Sequence, residues 1–569
     1  MLDVAVVGGG PAGSTVGSLL KKYQPRLKIA IFERERFPRD HVGESQLPVI
    51  GKVLDEMGCW DKVEVAGFPI KIGATYRWGR TDDLWNFEFI PNGALQAESR
   101  PAQYAGQRLL TAFQVDRAIY DKILLDHARD LGCEVHQEAR VVQVERERDK
   151  VQALLLDSGE RVEARYYVDA SGHSGIIRRA MGVAIDSPSR LQNVAIWDYW
   201  QNATWAETIG VGGTRVQVLS LGWGWIWFIP LGPTRTSIGL VVPASTLKQA
   251  DQSAAKLYRD AIENDPVVSK LIRGATPEDR LTTTKDWSFL AERLCGENWF
   301  LAGESAGFAD PILAAGMTLA HMGAREVAYT ILELDRGQFE REWLLGRYDE
   351  GHRQKIGQHI RFADFWYSAN GQFTDLQDYT REIAQGAGLD LDSEQAWQWL
   401  GAGGFVDHDT VGTGFGGYSL AAVKQISGNF LGERPRYAID GMNVFELHLE
   451  GAEKSWGAIL DQGRISRHRA FRRGGKYLPN TGLYGLLISQ MRPRTTGSQL
   501  FEALFQVVRR GQMPRNQAQR MLLDAFNALE SMVNDGWVTA ERDPSLPAFQ
   551  LPEEDDSVIR RTAMARAGP

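Results

Sequence analysis

A chain of 569 residues exceeds one ordinary core, so two or three domains are expected. With 43% hydrophobic and 24% charged residues it is globular rather than disordered or fibrous, and a net charge of −8 argues against nucleic acid as a partner. Cys59, Cys133 and Cys295 are odd in number, widely spaced and free of any C-x-x-C pair, which fits buried thiols in a reducing cytoplasm and no metal site. The first strand begins at Leu2 and no run of about 18 apolar residues follows, so a cytoplasmic protein without a membrane partner is expected.

Residues 2 to 7 read as a short buried strand, followed by a glycine turn into a helix carrying Leu19 and Leu20. Lys28 to Phe32 make the next strand, ending at Glu33, which completes a βαβ unit. Val115 to Leu131 is a second amphipathic helix, and strands are expected at 134–147, 150–156 and 161–168. Residues 190 to 245 alternate Trp, Val and Ile with Gly or Pro at turns, the pattern of a second sheet. Helical pattern returns from Met317 to about Phe373. Seven glycines between 401 and 417 mark a loop-rich boundary, and a basic segment spans Arg464 to Lys476. Leu522, Leu523, Phe526, Leu529, Met532 and Val533 share a helical face, and Gly536-Trp537-Val538-Thr539 resembles the helix-then-wing edge of a winged helix. From Pro552 the chain is acidic, then basic, and a frayed end is expected.

Gly8, Gly10 and Gly13 form a G-x-G-x-x-G turn in register between strand and helix. The first allows the turn, the second lets a pyrophosphate approach, and the third lets helix pack on strand. Pro11 and Ala12 open the helix, whose N-terminal N–H groups face the phosphates. Glu33, twenty residues after Gly13, is placed for a ribose hydroxyl, with Arg34 beside it.

Later segments narrow the cofactor. Tyr167-Val-Asp169-Ala-Ser171-Gly172 and Leu301-Ala-Gly303-Glu304-Ser305-Ala306 resemble the FAD fingerprints of class A flavoprotein monooxygenases. Glu304 stands where that family usually has Asp, and Arg117 matches its arginine beside the flavin. Three further segments resemble the FADH2-dependent halogenases, in the phenol- and pyrrole-acting, carrier-protein-associated branch. These are Trp225-Ile-Trp227-Phe-Ile229-Pro230, a W-x-W-x-I-P string; Phe37-Pro-Arg-Asp-His-Val-Gly43-Glu44-Ser45; and Lys71 before the G-x-x-x-R-W-G strand Gly73 to Gly79. The resemblance covers roughly residues 1 to 375. It implies a GR2-type, Rossmann-like α/β FAD-binding domain with a substrate-side β-sheet domain, followed by a mostly helical C-terminal domain with a winged-helix-like end. The implied boundaries are 1–185 and 281–375 for the two parts of the FAD domain, 186–280 for the sheet domain and 376–569 for the tail.

The resemblance also implies the chemistry. Reduced FAD and O₂ oxidise chloride or bromide to hypohalous acid, which must reach a separate electron-rich substrate, phenolic or pyrrolic, free or carrier-bound. Lys71 is the implied catalytic carrier, since burial lowers a lysine's pKa and frees its lone pair. Trp225, Trp227, Ile229 and Pro230 are the implied barrier that keeps substrate from the flavin. Glu44 orients flavin or moves a proton, and Gly43, Ser45, Asp169, Gly303, Asp310 and Pro311 complete the cofactor set. The halide segment F-x-x-P-x-x-S-x-G reads Phe308-Ala-Asp310-Pro311-Ile-Leu-Ala314-Ala315-Gly316, so the serine is Ala314 and the halide falls to Ala315 and Gly316. No second G-x-G-x-x-G stands between a strand and a helix for NAD(P)H, the string at 412–417 falling in the glycine-rich run, which implies a separate flavin reductase as partner. The alternative on this scaffold is a monooxygenase that hydroxylates an aromatic or polyketide-like substrate.

Overall fold

The computed structural model describes residues 1–90, 95–210, 212–386, 414–415, 418–431, 437–513, 515–547 and 559–561. It divides into two compact units, one formed by residues 1–387 with 558–569 and the other by 388–557. The elements that position the site are, in chain order, β1 (Leu2–Val7), α1 (Pro11–Tyr23), β2 (Ile29–Phe32), β3 (Ile70–Arg77), β4 (Ala112–Phe113), α2 (Arg117–Asp130), β5 (Ala164–Asp169), β6 (Gln192–Gln201), β7 (Gly213–Ser220), β8 (Trp225–Pro230), β9 (Arg235–Pro243), β10 (Trp299–Leu301), α3 (Ala315–Arg336) and α4 (Arg341–Ser368).

The first unit holds two large sheets. In one, β10, β5, β1, β2 and the strand Glu134–His136 run parallel in that order. A parallel sheet needs cover on both faces, so its strands are near-continuous apolar runs, as Val4 to Val7 and Ile29 to Phe32 are. In the other, β6, β9, β8, β7 and β3 lie side by side, and β4 and the strand Trp85–Glu88 both pair with β3. Here one residue in two faces the core. Ile226 and Phe228 of β8 pack into a cluster with Ile238 and Leu240 of β9, while Trp225, Trp227 and Ile229 point the other way. The parallel β3–β7 pair carries a bulge, Thr214 opposite Lys71 but Arg215 opposite Gly73, beside the lysine. Such bulges re-aim side chains next to active sites.

The expected helical stretch from Met317 is two helices, α3 and α4, broken near Gly337, whose φ of 63° ends α3 in a left-handed turn. All three cysteines are buried and unbridged. The strand Ile559–Arg561 pairs with Trp85–Glu88 in the first unit, so the observed division does not follow the expected bounds of 376 to 569. The tail also carries strands beside its helices. Glu453–Asp461, Arg464–Arg473 and Lys476–Pro479 form an antiparallel sheet, its tight turn made by Gly474 and Gly475 at positive φ. Arginines at both even and odd positions, 464, 467, 469, 472 and 473, hide the two-residue alternation of the basic strand.

The winged-helix reading rests on firmer ground within the second unit. Helices Gly482–Gln490, Gly497–Arg510 and Arg515–Asn534 accompany a three-stranded sheet ordered Thr495–Thr496, Val444–Leu447, Val538–Glu541. Trp537 and Met532 are fully buried in its core. Most of the glycine-rich run 401–417 lies outside the described residues.

Candidate active site

The glycine turn is built as its sequence demands. Gly8 has φ 104°, and a side chain there would overlap the carbonyl of Ala170; one at Gly13 would overlap the carbonyl of Gly8. Gly10 differs: a Cβ there would meet nothing nearer than the Arg39 guanidinium, at 3.6 Å. The open side of the turn thus faces a helix N-terminus and a cation, which fits a pyrophosphate. Glu33 is buried, and its carboxylate accepts from Gly9 N–H at 2.7 Å and Glu35 N–H at 2.9 Å. Those bonds hold it in one orientation and leave lone pairs for sugar hydroxyls. Arg34 sits on the surface, paired with Glu35.

Several candidates are tied into the structure around the site. Asp169 is fully buried, and its carboxylate accepts from Ser171 N and Oγ and from the backbone N–H groups of Ile177 and Arg178. It organises the turn after β5. Arg117 makes a two-pronged pair with Asp121 at 2.7 and 2.8 Å and donates to the carbonyls of Val42 and Gly43. It therefore fixes the Val42–Ser45 segment. Glu304 lies beside the Gly172–His173 turn, and burial raises its pKa.

Asp310 also departs from expectation. Its oxygens accept from Ile312 N–H at 2.9 Å, Tyr367 OH at 3.2 Å and Asn193 Nδ2 at 3.2 Å. Tyr367 OH in turn accepts from the Trp225 indole at 2.7 Å. Burial pushes the Asp310 carboxyl up to about 7. Asp310 is thus tied to the tryptophan wall, and Pro311 opens the short turn it caps. That turn ends at Ala314, in the left-handed region at φ 53°, and α3 begins at Ala315 and Gly316 with no side chain capping it.

The wall is tightly packed. The Trp225 and Trp227 rings lie 6.1 Å apart, and Trp197 stands 6.4 Å from Trp227. Ile229 and Pro230 are buried at its end. Gly239, opposite Trp227 on β9, leaves the space that the indole fills. The Trp227 indole donates to Ser237 Oγ at 3.1 Å.

Ser237 and Tyr199 flank Glu44, which is 2% exposed and has no hydrogen-bond partner for either oxygen. Burial pushes its carboxyl up to about 7, with the two hydroxyls and Arg117 only moderating the shift. Lys71 is 3% exposed, donates to the Gln46 carbonyl at 2.9 Å and lies 5.3 Å from the Phe89 ring centre. Burial alone pushes its amine down to about 7. Sequence reasoning missed Gln46, Ser237, Tyr199, Tyr367 and Gly239. Gln46 acts through its backbone and leaves no signal; Gly239 is legible only once β8 and β9 are in register.

Known proteins place this geometry. Residues 1–363 match the FAD binding domain family. The chain is 30% identical over 386 residues to the 1H-pyrrole-2-carbonyl-[peptidyl-carrier protein] chlorinase of Pseudomonas fluorescens, covering 65% of this chain and 85% of that one. It is 31% identical over 345 residues to a tryptophan 2-halogenase of Chondromyces crocatus, covering 59% of this chain and 62% of that relative's length. Among solved structures, the myxobacterial chondrochloren halogenase CndH superposes with a TM-score of 0.58 at 28% identity, over 68% of this chain and 91% of that one. CmlS, a flavin-dependent halogenase, shares the fold over 97% of this chain and 98% of its own, with a TM-score of 0.71 at 24% identity. Among the described residues no helix is long and apolar enough to cross a membrane. An FAD-binding turn, a buried low-pKa lysine and a sealed tryptophan wall stand together with these likenesses, and the chain belongs to the flavin-dependent halogenases.

Proposed function

We propose that the protein halogenates a phenolic or pyrrolic ring, free or presented on a carrier protein, with chloride or bromide and FADH₂ delivered by a separate flavin reductase. The observation that carries this reading is Lys71: a buried amine with no counter-ion among the described residues, held on one carbonyl and lowered to about 7. An amine that is neutral near pH 7 keeps its lone pair for an electrophilic halogen, whereas an ordinary surface lysine near 10.4 does not.

Reduced FAD, when bound, would supply the electrons that reduce O₂ to a species able to oxidise the halide. Gly10 and the N-terminus of α1, with Arg39 alongside, take its pyrophosphate; Glu33 takes the ribose; Glu304 faces the ribityl side. Arg117 fixes the Val42–Ser45 segment so that Glu44, neutral through much of the range below pH 7, holds or releases a proton on the wall side. The uncapped N–H groups at Ala315 and Gly316 suit a halide at the positive end of a 22-residue helix. The wall separates this region from the ring to be modified. The carrier-bound option draws on the Pseudomonas chlorinase, whose substrate is a carrier-bound pyrrole.

The test uses purified protein, a flavin reductase, bromide and phenolic or pyrrolic substrates, free and carrier-bound, with products read by mass spectrometry. Brominated product is expected, and Lys71→Ala should cut product per flavin oxidised at least a hundredfold. Hydroxylated product that ignores halide would favour a monooxygenase.

A further inference from the structure

The backbone around Lys71 sorts nearby side chains onto two faces. Lys71 on β3 pairs with Ala112 on β4, and Ser45 pairs with Gln114 just beyond β4, both antiparallel. Directly opposed residues point to the same side of a ladder, and residues two apart on one strand do as well. Lys71, Ala112, Gln114 and Ser45 therefore share one face. Glu44, Gln46, Phe113 and Val115 take the other, where Phe113 and Val115 join the main core.

The lysine reaches the Gln46 carbonyl on the third strand of this ladder, so its side chain crosses over β4. Ala112 is small enough to be crossed. Gln114 is the diagonal neighbour of Lys71, a placement of about 7–8 Å that long side chains span. Gln114 is 0% exposed, yet neither its amide oxygen nor its amide nitrogen has a hydrogen-bond partner. The hydroxyl of Ser45 is likewise buried and unpartnered. Orphaned buried polar groups cost about 1–3 kcal/mol each, so three such atoms beside a catalytic amine call for a small polar occupant.

We infer that Gln114 and Ser45 form, with Lys71, the pocket that holds hypohalous acid before transfer, making Gln114 a further catalytic residue. The inference rests on the halogenase reading above. Hypohalous acid is water with one hydrogen replaced by a halogen, so it asks for one acceptor for its O–H and one donor to its oxygen. The Gln114 amide supplies both, and Ser45 Oγ supplies an alternate acceptor. With the oxygen end held there, the halogen faces the amine, whose N–H is spent on Gln46 and whose lone pair is free when neutral. Only hydrogen bonds form and break in this step. A resting water satisfies the same atoms, and the acid replaces it without rearranging the pocket.

The experiment measures two fates of oxidised bromine in the reductase-coupled reaction: bromination of the ring substrate, and bromination of monochlorodimedone added as a scavenger in solution. In Gln114→Leu, ring product per flavin oxidised should fall about tenfold while scavenger bromination rises. A ratio equal to that of the unaltered protein would overturn the inference. If the unaltered protein brominates neither ring nor scavenger, the halogenase reading itself fails and the inference with it. A second measurement needs no cofactor and guards against misfolding of the leucine variant. Amine labelling of Lys71 followed across pH should titrate near 7, and Gln114→Glu should move that midpoint up by at least one pH unit by placing a carboxylate beside the amine. An unmoved midpoint in folded Gln114→Glu protein would show that Gln114 does not face the lysine, and would also overturn the proposal.

Discussion

The tryptophan wall and the lysine pocket stand in the same sheet and are built by opposite rules. In the wall, Trp225, Tyr367, Asp310, Asn193 and Tyr379 form one continuous set of hydrogen bonds, and Trp227 is closed onto Ser237. In the pocket, Lys71 has one hydrogen bond, and Gln114 and Ser45 leave their side-chain polar atoms unpaired. A satisfied buried network fixes a shape; an unsatisfied one waits for a ligand. The wall is therefore the structural partner, and the pocket carries a stability cost for its chemistry.

The largest effect expected from this contrast is at Asp310. Asp310→Ala strands Tyr367 OH, Asn193 Nδ2 and Ile312 N–H in a buried site, and should cost about 3–5 kcal/mol in urea unfolding. Asp310→Asn keeps an acceptor for Ile312 N–H and Tyr367 OH but sets an amide N–H against Asn193 Nδ2, and should cost less than the alanine variant, about 1–3 kcal/mol. Equal losses in the two variants would mean that the acid's charge matters more than its bonds. Next comes Gly239→Ala. Its methyl would overlap the Trp227 indole, and overpacking of this kind costs about 1–3 kcal/mol. The expected readout is a matching fall in stability, with a shift in tryptophan fluorescence as the wall moves.

The pocket should respond in the opposite direction. Burial holds the folded Lys71 amine near 7, while the unfolded chain keeps it near 10.4. Between those values the unfolded chain binds the extra proton, so stability rises with pH through that window. The lysine's cost is full below pH 7 and gone above about 10.4. Lys71→Met, of similar shape without the charge, should therefore gain about 4–5 kcal/mol at pH 6 and almost nothing near pH 10.5. A gain that does not fade with pH would point to packing and not to charge. Activity should follow the same group, with halogen transfer by the unaltered protein rising through pH 7 as the amine becomes neutral.

What the sequence made legible follows the same division. The glycine turn, Glu33, the wall strand and Lys71 are readable because each is tied to a backbone constraint or an uninterrupted motif: φ at Gly8, alternation at Trp225 and Trp227, a lysine inside an apolar strand. Asp169 and Asp310 are legible as positions, while their bonds to neighbouring turns and to the wall are not, since a carboxylate after a strand looks the same whether it meets a cofactor or a backbone turn. Gln114 and Ser45 could not be paired from sequence. Their common face depends on a single bridge between segments about seventy residues apart. In the tail, Gly536-Trp537 marked the wing because a left-handed glycine and a buried indole are local signals, whereas the basic strand Arg464–Arg473 shows its pleat only in pairing.

The smallest expected effect bears on Ala314, which stands where the halide segment's serine is expected. Ala314 holds φ 53°, a conformation that costs a residue with a side chain more than glycine. Ala314→Gly should relieve that strain and stabilise by about 0.5–1 kcal/mol, offset in part by a looser unfolded chain. Ala314→Ser keeps the strain and adds a hydroxyl beside the start of α3. If halide is held by the backbone N–H groups alone, serine should leave the bromide concentration for half-maximal rate within twofold of the unaltered value. If a hydroxyl belongs in the site, that concentration should drop about tenfold, the worth of one hydrogen bond to a charged group at about 1.5 kcal/mol. The glycine variant separates the two effects, since it changes the strain and adds no donor. The backbone-only outcome is expected, because the N-terminus of α3 already presents uncapped N–H groups where the anion would sit.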